Sequence, residues 1–265
     1  DIMRSKSIPD LSSIELLFPK DTLNQGVEGT GTYVLDMTDP AKPVHTDTLR
    51  TSAMQSPHET LRLNKKRGIL AAALSYPTFN PGFVDVYDVS NDCRHPVLQS
   101  STPLGILGHE SGFSPDGRTL WISTTAQPGV TAIDVSNPRL PSILWRYSTI
   151  TFHGMSLRAD GNRLYGADLG TVKGLAILDV SQVQARVPNP VVRQVSHLTW
   201  PEVSIPQNAI PITIKGRRYV VEVDEYTSAT TAFGPQMVAG MGYVADANVG
   251  AARLIDITDE RHPRV

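Results

Sequence analysis

The chain is short of the groups that make several functions easy to recognise. Among its 265 residues there is one cysteine, Cys93, so neither an internal disulfide framework nor a cysteine-based zinc site is available. Its 24 basic side chains stand against 26 acidic ones, a balance that creates no field to gather nucleic acid or an anionic membrane surface. No uncharged apolar run reaches the roughly 18 residues that a spanning helix needs. The opening residues, Asp1-Ile2-Met3-Arg4, lack the basic-then-apolar order of a signal peptide. A sustained helical period is missing as well: Val183–Arg186 is at most one turn, stopped by Pro188 and Pro190. With 20 glycines, 20 prolines and 40% hydrophobic residues, what remains is a globular, β-rich chain able to bury a core.

Internal repetition is what the chain does have. Five segments join an apolar run, an Asp and a turn: Tyr33–Pro40, Val84–Asn91, Val130–Pro138, Leu175–Ser181 and Leu254–Asp259. The Asp-to-Asp steps, from Asp36 through Asp88, Asp134 and Asp179 to Asp256, are 52, 46, 45 and 77 residues. Three of these match one four-stranded propeller blade, and the fourth a blade carrying an insertion. After each Asp comes a turn, where Asp or Ser can bond the backbone two residues on. Strands are predicted over 44–51, 97–102, 142–147 and 191–198. A second set of turns with Gly at Gly68, Gly117, Gly161 and Gly216 leads into strands over 69–74, 119–124, 163–167 and 218–223. Regular pitch with no intervening helix favours an all-β propeller of four-stranded antiparallel blades over a sandwich, whose strands would show no period. The visible strands make about four blades, so the chain is expected to be part of a larger or incomplete ring. Residues 1–30 read as an irregular lead-in, 31–265 as the blades, and 226–249 as an insertion forming a loop or lid.

The Leu175-Ala-Ile-Leu-Asp-Val-Ser181 pattern, with Asn137-Pro-Arg-Leu-Pro141, resembles the LVIVD-repeat family from about Gly31 onward. That resemblance implies a bacterial β-propeller, secreted or envelope-associated, and names no activity. In propeller plan and in histidines placed blade by blade, the chain is also distantly similar to selenium-binding protein and methanethiol oxidase, a likeness that would imply copper-dependent oxidation.

One polar feature recurs after each repeat Asp: His58-Glu59, His109-Glu110, His153 and Asn208 follow at 22, 21, 19 and 29 residues. Matched offsets place them at equivalent blade positions, expected near the mouth of a central channel where rings can converge. Three imidazoles, His58, His109 and His153, with Asn208 beside them, would suit a transition metal such as Zn, Cu or Fe. Glu59 and Glu110 would then be the catalytic carboxylates, acting as general bases, as further ligands or as groups that orient the ligands. His58 and Glu59 alternate in direction along an extended strand, so they share a site only in a loop or bulge. The alternative is a structural ring in which each His bonds its own blade's backbone, as repeat proteins reuse one polar residue at one place. Two functions follow. One is a propeller binding a small-molecule ligand or a protein partner at one face; the other is a metal-dependent oxidoreductase or hydrolase.

Other motifs fail. In Gly108-His-Glu-Ser-Gly112 the Ser is fourth, not third, of five, so it is no nucleophile elbow. Neither His-Glu pair has the further His of a helical zinc protease. The repeat Asp residues are expected as turn formers rather than calcium ligands. Cys93, in a turn, is expected to be non-catalytic. Glu222 and Asp224 would share one face of a strand, expected as a solvated strand end in preference to a lining of the channel mouth.

Overall fold

The computed structural model describes residues 14–17, 31–75, 82–125, 129–201, 203–225 and 251–265. The insertion read at 226–249 lies outside them. The chain divides into two compact units, residues 1–122 with 131–143, and 123–130 with 144–265.

In the first unit β1 (Ile14–Leu17), β2 (Thr32–Asp36) and β3 (Val44–Leu49) form one antiparallel sheet, so a strand lies within the stretch read as irregular. A single helical turn, α1 (Ser52–Gln55), leads to β4 (Arg62–Asn64), β5 (Ile69–Ala73), β6 (Phe83–Asp88) and β7 (Val97–Pro103), which pair in chain order. The next sheet is built the same way from β8 (Ser111–Phe113), β9 (Thr119–Ser123), β10 (Val130–Asp134) and β11 (Ser142–Tyr147); from Leu144 on, β11 belongs to the second unit. The second unit continues with β12 (Phe152–Leu157), β13 (Arg163–Asp168), β14 (Gly174–Asp179), the turn α2 (Ser181–Gln184) and β15 (Arg193–Leu198). A last sheet joins β16 (Pro206–Ile214), β17 (Arg217–Asp224) and β18 (Ala252–Asp256). The strands expected from the repeats all form, most with ends shifted by one or two residues, as strand ends do.

Each four-stranded sheet grades from core to surface. The second strands, such as Ile69-Leu-Ala-Ala-Ala73 and Thr119-Leu-Trp-Ile-Ser123, are buried on both faces and read as continuous runs, whereas the fourth strands β7 and β11 are half-exposed. In the first unit two apolar clusters lie between sheets, one around Met54, Leu70 and Tyr87 and one around Ile69, Val84, Leu120 and Ile133. Cys93 packs in the first of these, and burial pushes its thiol up, away from the reactive thiolate. In the second unit Tyr165, Ile177, Val220 and Ile255 form the core.

The repeat Asp acts as the sequence predicts. Asp36, Asp88, Asp134, Asp179 and Asp256 each accept a hydrogen bond from the backbone N–H two residues on, at 2.8–3.0 Å. Asp39, Asp92, Asn137 and Asp259, three or four residues further, do the same for Ala41, Arg94, Arg139 and Arg261. A register shift recurs just before three of the repeat Asp residues, between Val34 and Leu35, Val86 and Tyr87, and Ile177 and Leu178. The extra residue, Thr46, Gln99 or Val195, lies in the strand that follows the Asp turn, and it bends that strand as it leaves the turn.

Charged side chains tie neighbouring sheets within each unit. Arg67 donates to the carbonyls of Gly117, Val135 and Ser136 at 2.7–2.8 Å. In the second unit Glu260 accepts from Arg158, Arg163, Arg218 and the Tyr165 hydroxyl at 2.8–3.2 Å.

Asp88 takes both the N–H and the hydroxyl of Ser90, at 2.8 and 2.6 Å. Asp88→Ala should lower stability by about 1 kcal/mol in denaturant titration, with Asp88→Asn, which keeps an acceptor, losing less. Equal losses for the two variants would show that charge rather than the turn bond matters.

Candidate functional site

The first His-Glu pair sits on a turn held from three sides. Upstream, the buried Asp85 carboxylate accepts from the N–H groups of Ala53 and Met54 at 2.8 and 3.3 Å and so fixes α1 against β6. Burial pushes the Asp85 carboxyl above the ordinary range, with hydrogen bonds from Ser101, Thr51 and α1 opposing the shift. Next comes a tight turn closed by Thr60 N–H to the Pro57 carbonyl at 2.8 Å, with His58 and Glu59 at its centre. Thr60 is fully buried. Its hydroxyl lies 2.6 and 2.7 Å from the carbonyls of Pro57 and Ala73 and accepts from Ala73 N–H at 2.9 Å, while its own carbonyl accepts from the Ser111 hydroxyl at 2.5 Å. His58 is bent to φ 46°, in the left-handed region, which for a residue other than glycine carries strain of order 1–3 kcal/mol.

The second His-Glu pair is laid alongside the first by two parallel bridges, Ser75 with Gly108 and Glu59 with Glu110. Only glycine fits at 108: a Cβ there would come within 2.6 Å of Thr60 Cγ2 and 2.9 Å of Ala73 Cβ. The ring centroids of His58 and His109 are 4.6 Å apart, tilted by 52°, and His109 Nε2 lies 3.8 Å from Glu59 Oε2. One ligand atom each from His58, Glu59 and His109 fall within 4.8 Å of one another. Tetrahedral ligands at about 2.1 Å from an ion are about 3.4 Å apart, so rotation about side-chain bonds by roughly an ångström brings the three to bonding geometry. All three residues are half-buried, which leaves the cluster accessible.

Glu110 is nearly fully buried, and its Oε1 accepts from Arg62 at 2.9 Å. Arg62 also donates to the carbonyls of Glu59 and Leu61, so it braces both acidic residues. His153 belongs to the second unit. It lies in β12 at a register shift between Phe152 and Met155; its Nε2 is 3.2 Å from Glu225 Oε2 and its carbonyl accepts from the Ser123 hydroxyl. Gly166 makes room there, because a Cβ would meet the Phe152 ring at 2.2 Å. Asn208 sits at a comparable shift in β16, with its side-chain oxygen accepting from Ala209 N–H at 2.8 Å. The loop that the alternation of His58 and Glu59 required is present as the turn closed by Thr60 and Pro57.

The expectation of a solvated strand end at Glu222 and Asp224 is corrected by burial, with 0% and 7% of their surface exposed. β18 places Arg253 directly opposite Glu222, and its guanidinium reaches Asp224 Oδ2 at 2.5 Å and Glu222 Oε2 at 3.5 Å while lying over the Trp200 ring. Alternation predicts the shared face, but Arg253 lies across the insertion and only strand pairing reveals it. Burial and then repulsion from Asp224 push the Glu222 carboxyl up to about 8. Arg62 and Glu225, the partners of Glu110 and His153, are likewise invisible to spacing.

Thr60→Val should cost about 1–3 kcal/mol in denaturant titration, because it leaves buried groups unpaired, with Thr60→Ser restoring most of the loss. An unchanged midpoint would show that the turn is held by other bonds. For Glu222 the folded state keeps a proton that the unfolded chain releases near pH 4.3. Its stabilising effect is therefore complete below that pH, declines as pH rises towards about 8, and is constant above. Thermal midpoints should fall over this window, and Glu222→Gln should flatten the fall; an identical slope in the variant would refute the assignment.

No protein-family model matches the chain, so the LVIVD resemblance stands on its motifs alone, and no curated protein matches either. Solved structures do match. A "putative 6-phosphogluconolactonase" from Bacteroides fragilis superimposes with a TM-score of 0.62 at 11% identity, over 84% of this chain and 64% of its own. The periplasmic gluconolactonase PpgL of Pseudomonas aeruginosa gives 0.53 at 20% identity, over 80% and 64%. The β-propeller domain of Cps50 (Swd1) from Myceliophteria thermophila gives 0.52 at 12% identity, over 74% and 60%. The chain thus spans less than two thirds of each of these neighbours. Among the described residues no helix is long and apolar enough to cross a membrane. Four-stranded antiparallel sheets in sequential order, together with these neighbours, give the chain the fold of a β-propeller.

Proposed function

We propose that this propeller binds a divalent transition metal ion through His58, His109 and Glu59, and uses the site to hold an oxygen-bearing small molecule. The observation that carries the proposal is the strained His58, whose imidazole is turned onto that of His109 beside the Glu59 carboxylate. Strained non-glycine residues concentrate at functional sites, since the surrounding structure must override the strain. A structural role would need only one hydrogen bond per ring. Two nitrogens and one carboxylate oxygen suit Zn, Cu or Fe, and the ion would supply Lewis acidity towards a ligand oxygen. Glu59 supplies the neutralising charge, and Arg62 fixes Glu110 one residue along. The proposed site is confined to these residues of the first unit; His153 and Asn208 belong to the second.

A second proposal, hydrolysis of a sugar lactone, is favoured by the two neighbours named as lactonases. A lactone carbonyl is the kind of oxygen a Lewis acid polarises, and Glu59 or Glu110 would take the proton of the attacking water. The periplasmic neighbour, together with the LVIVD resemblance, supports a place in the bacterial envelope.

Protein purified without an affinity tag should carry about one equivalent of Zn, Cu or Fe by elemental analysis, and a chelator should lower its thermal midpoint. His58→Ala and His109→Ala should each weaken binding at least tenfold. Absence of bound ion, with no midpoint shift on adding Zn²⁺, Cu²⁺ or Fe²⁺, would defeat the metal proposal. Gluconolactone turnover no faster than the uncatalysed rate would defeat the hydrolase alone, and catalysed turnover equal with and without chelator would defeat the metal's part in it.

A further inference from the structure

The second unit contains a cavity of about 450 Å³ with no part in the metal site. We infer that it binds carbohydrate, with a pyranose ring lying against Trp145 and Tyr147 and its hydroxyls on Asp168, Gln194 and His197. The volume lies within the range of small-molecule sites.

The walls have two characters. On one side Trp145 and Tyr147, two residues apart on β11, point to the same face, their rings parallel to within 7° at a centroid distance of 5.6 Å. Stacking holds both rings before any ligand arrives, so little side-chain freedom is lost on binding. Tyr147 is 43% and Val172 57% exposed, which leaves large apolar side chains at the lip of the cavity.

The other side is polar and fixed in place. Asp168 ends β13, where its Oδ1 accepts from Gly170 N–H at 2.8 Å and its Oδ2 lies 3.2 Å from His197 Nε2. His197 comes from β15, as does Gln194, so the sheet pairing itself sets the spacing of the polar wall. The Asp168 and His197 side chains are 15% and 19% exposed, hence partly desolvated, which strengthens any hydrogen bond they make to a ligand.

A flat apolar face opposed to a mixed set of acceptors and donors matches a pyranose ring. Its C–H face is apolar, and its rim of hydroxyls both donates and accepts. A purely apolar ligand would desolvate Asp168, Gln194 and His197 without return. An anionic ligand would face the Asp168 carboxylate. By contrast, Glu222, Asp224 and Arg253 form a closed cluster, each at most 9% exposed in its side chain, with no room for a ligand.

The test titrates the full chain, stripped of metal, with maltotriose, cellotriose and chitotriose by calorimetry and tryptophan fluorescence. At least one should bind saturably with a Kd of about 1 mM or tighter. Trp145→Ala and Tyr147→Ala, both at non-core positions, should weaken that binding at least tenfold while thermal midpoints stay within a few degrees. Asp168→Asn should weaken it by less. Chelator and His58→Ala should leave it unchanged, which separates this site from the metal proposal. The inference is overturned if none of the three saccharides binds up to about 10 mM, or if binding survives both aromatic variants. Tetramethylammonium binding tighter than every saccharide would also overturn it, showing that the aromatic wall selects cations.

Discussion

One bond recurs through this molecule: a carboxylate at the end of a strand accepts the N–H two residues on, and in the four-stranded sheets this turns the chain from the third strand towards the fourth. Everything else in the sheet follows from where that turn falls. Buried on both faces, the inner strands cannot satisfy their backbone groups with water, so each must be paired on both sides. The carboxylate ends the third strand at a defined residue, and the bulge beside it sets the twist with which the fourth departs. Asp36 and Asp256 are held below the ordinary carboxylate range by bonds from Thr38 and Thr258, so the turn acceptor is the ionised form at neutral pH.

The same economy of charge ties sheets to one another. Arg67 in the first unit gathers three carbonyls, and Glu260 in the second gathers three arginines and a tyrosine hydroxyl. Both place a charge where backbone or like-charged groups would otherwise lie unpaired. Glu222 goes the other way. It faces Asp224 in the core with a single guanidinium between them, and its proton is retained well above the usual glutamate range.

The His-Glu cluster and the aromatic cavity arise from different kinds of position in the sheets. His58 and His109 lie where the chain enters a sheet, in turns and bridges whose close approach depends on Thr60 and Gly108. Trp145, Tyr147 and His197 lie on outer strands, where half the side chains face out and are free of packing duty. Inner strand entrances therefore favour a few converging ionisable groups, and outer strands a broad surface. The two kinds of site do not compete for residues.

Local chemistry decided much of this protein in advance. The Asp turns, strand positions and four-stranded repeat were legible because each depends on residues within one repeat: an apolar run, an acceptor two residues from its donor, a Gly where φ is positive. The nearness of His58 to His109 was legible for a related reason, since offsets of 22 and 21 residues in successive repeats mark equivalent places. What spacing could not reach was every partner drawn from another strand. Arg62 beside Glu110, Glu225 beside His153 and Arg253 opposite Glu222 are set by register, and the parallel rings of Trp145 and Tyr147 become a cavity wall only when Asp168 and His197 arrive from two other strands. Periodicity records which face a residue takes along its own strand; whether that face is buried, and against what, depends on chain segments that only folding brings beside it.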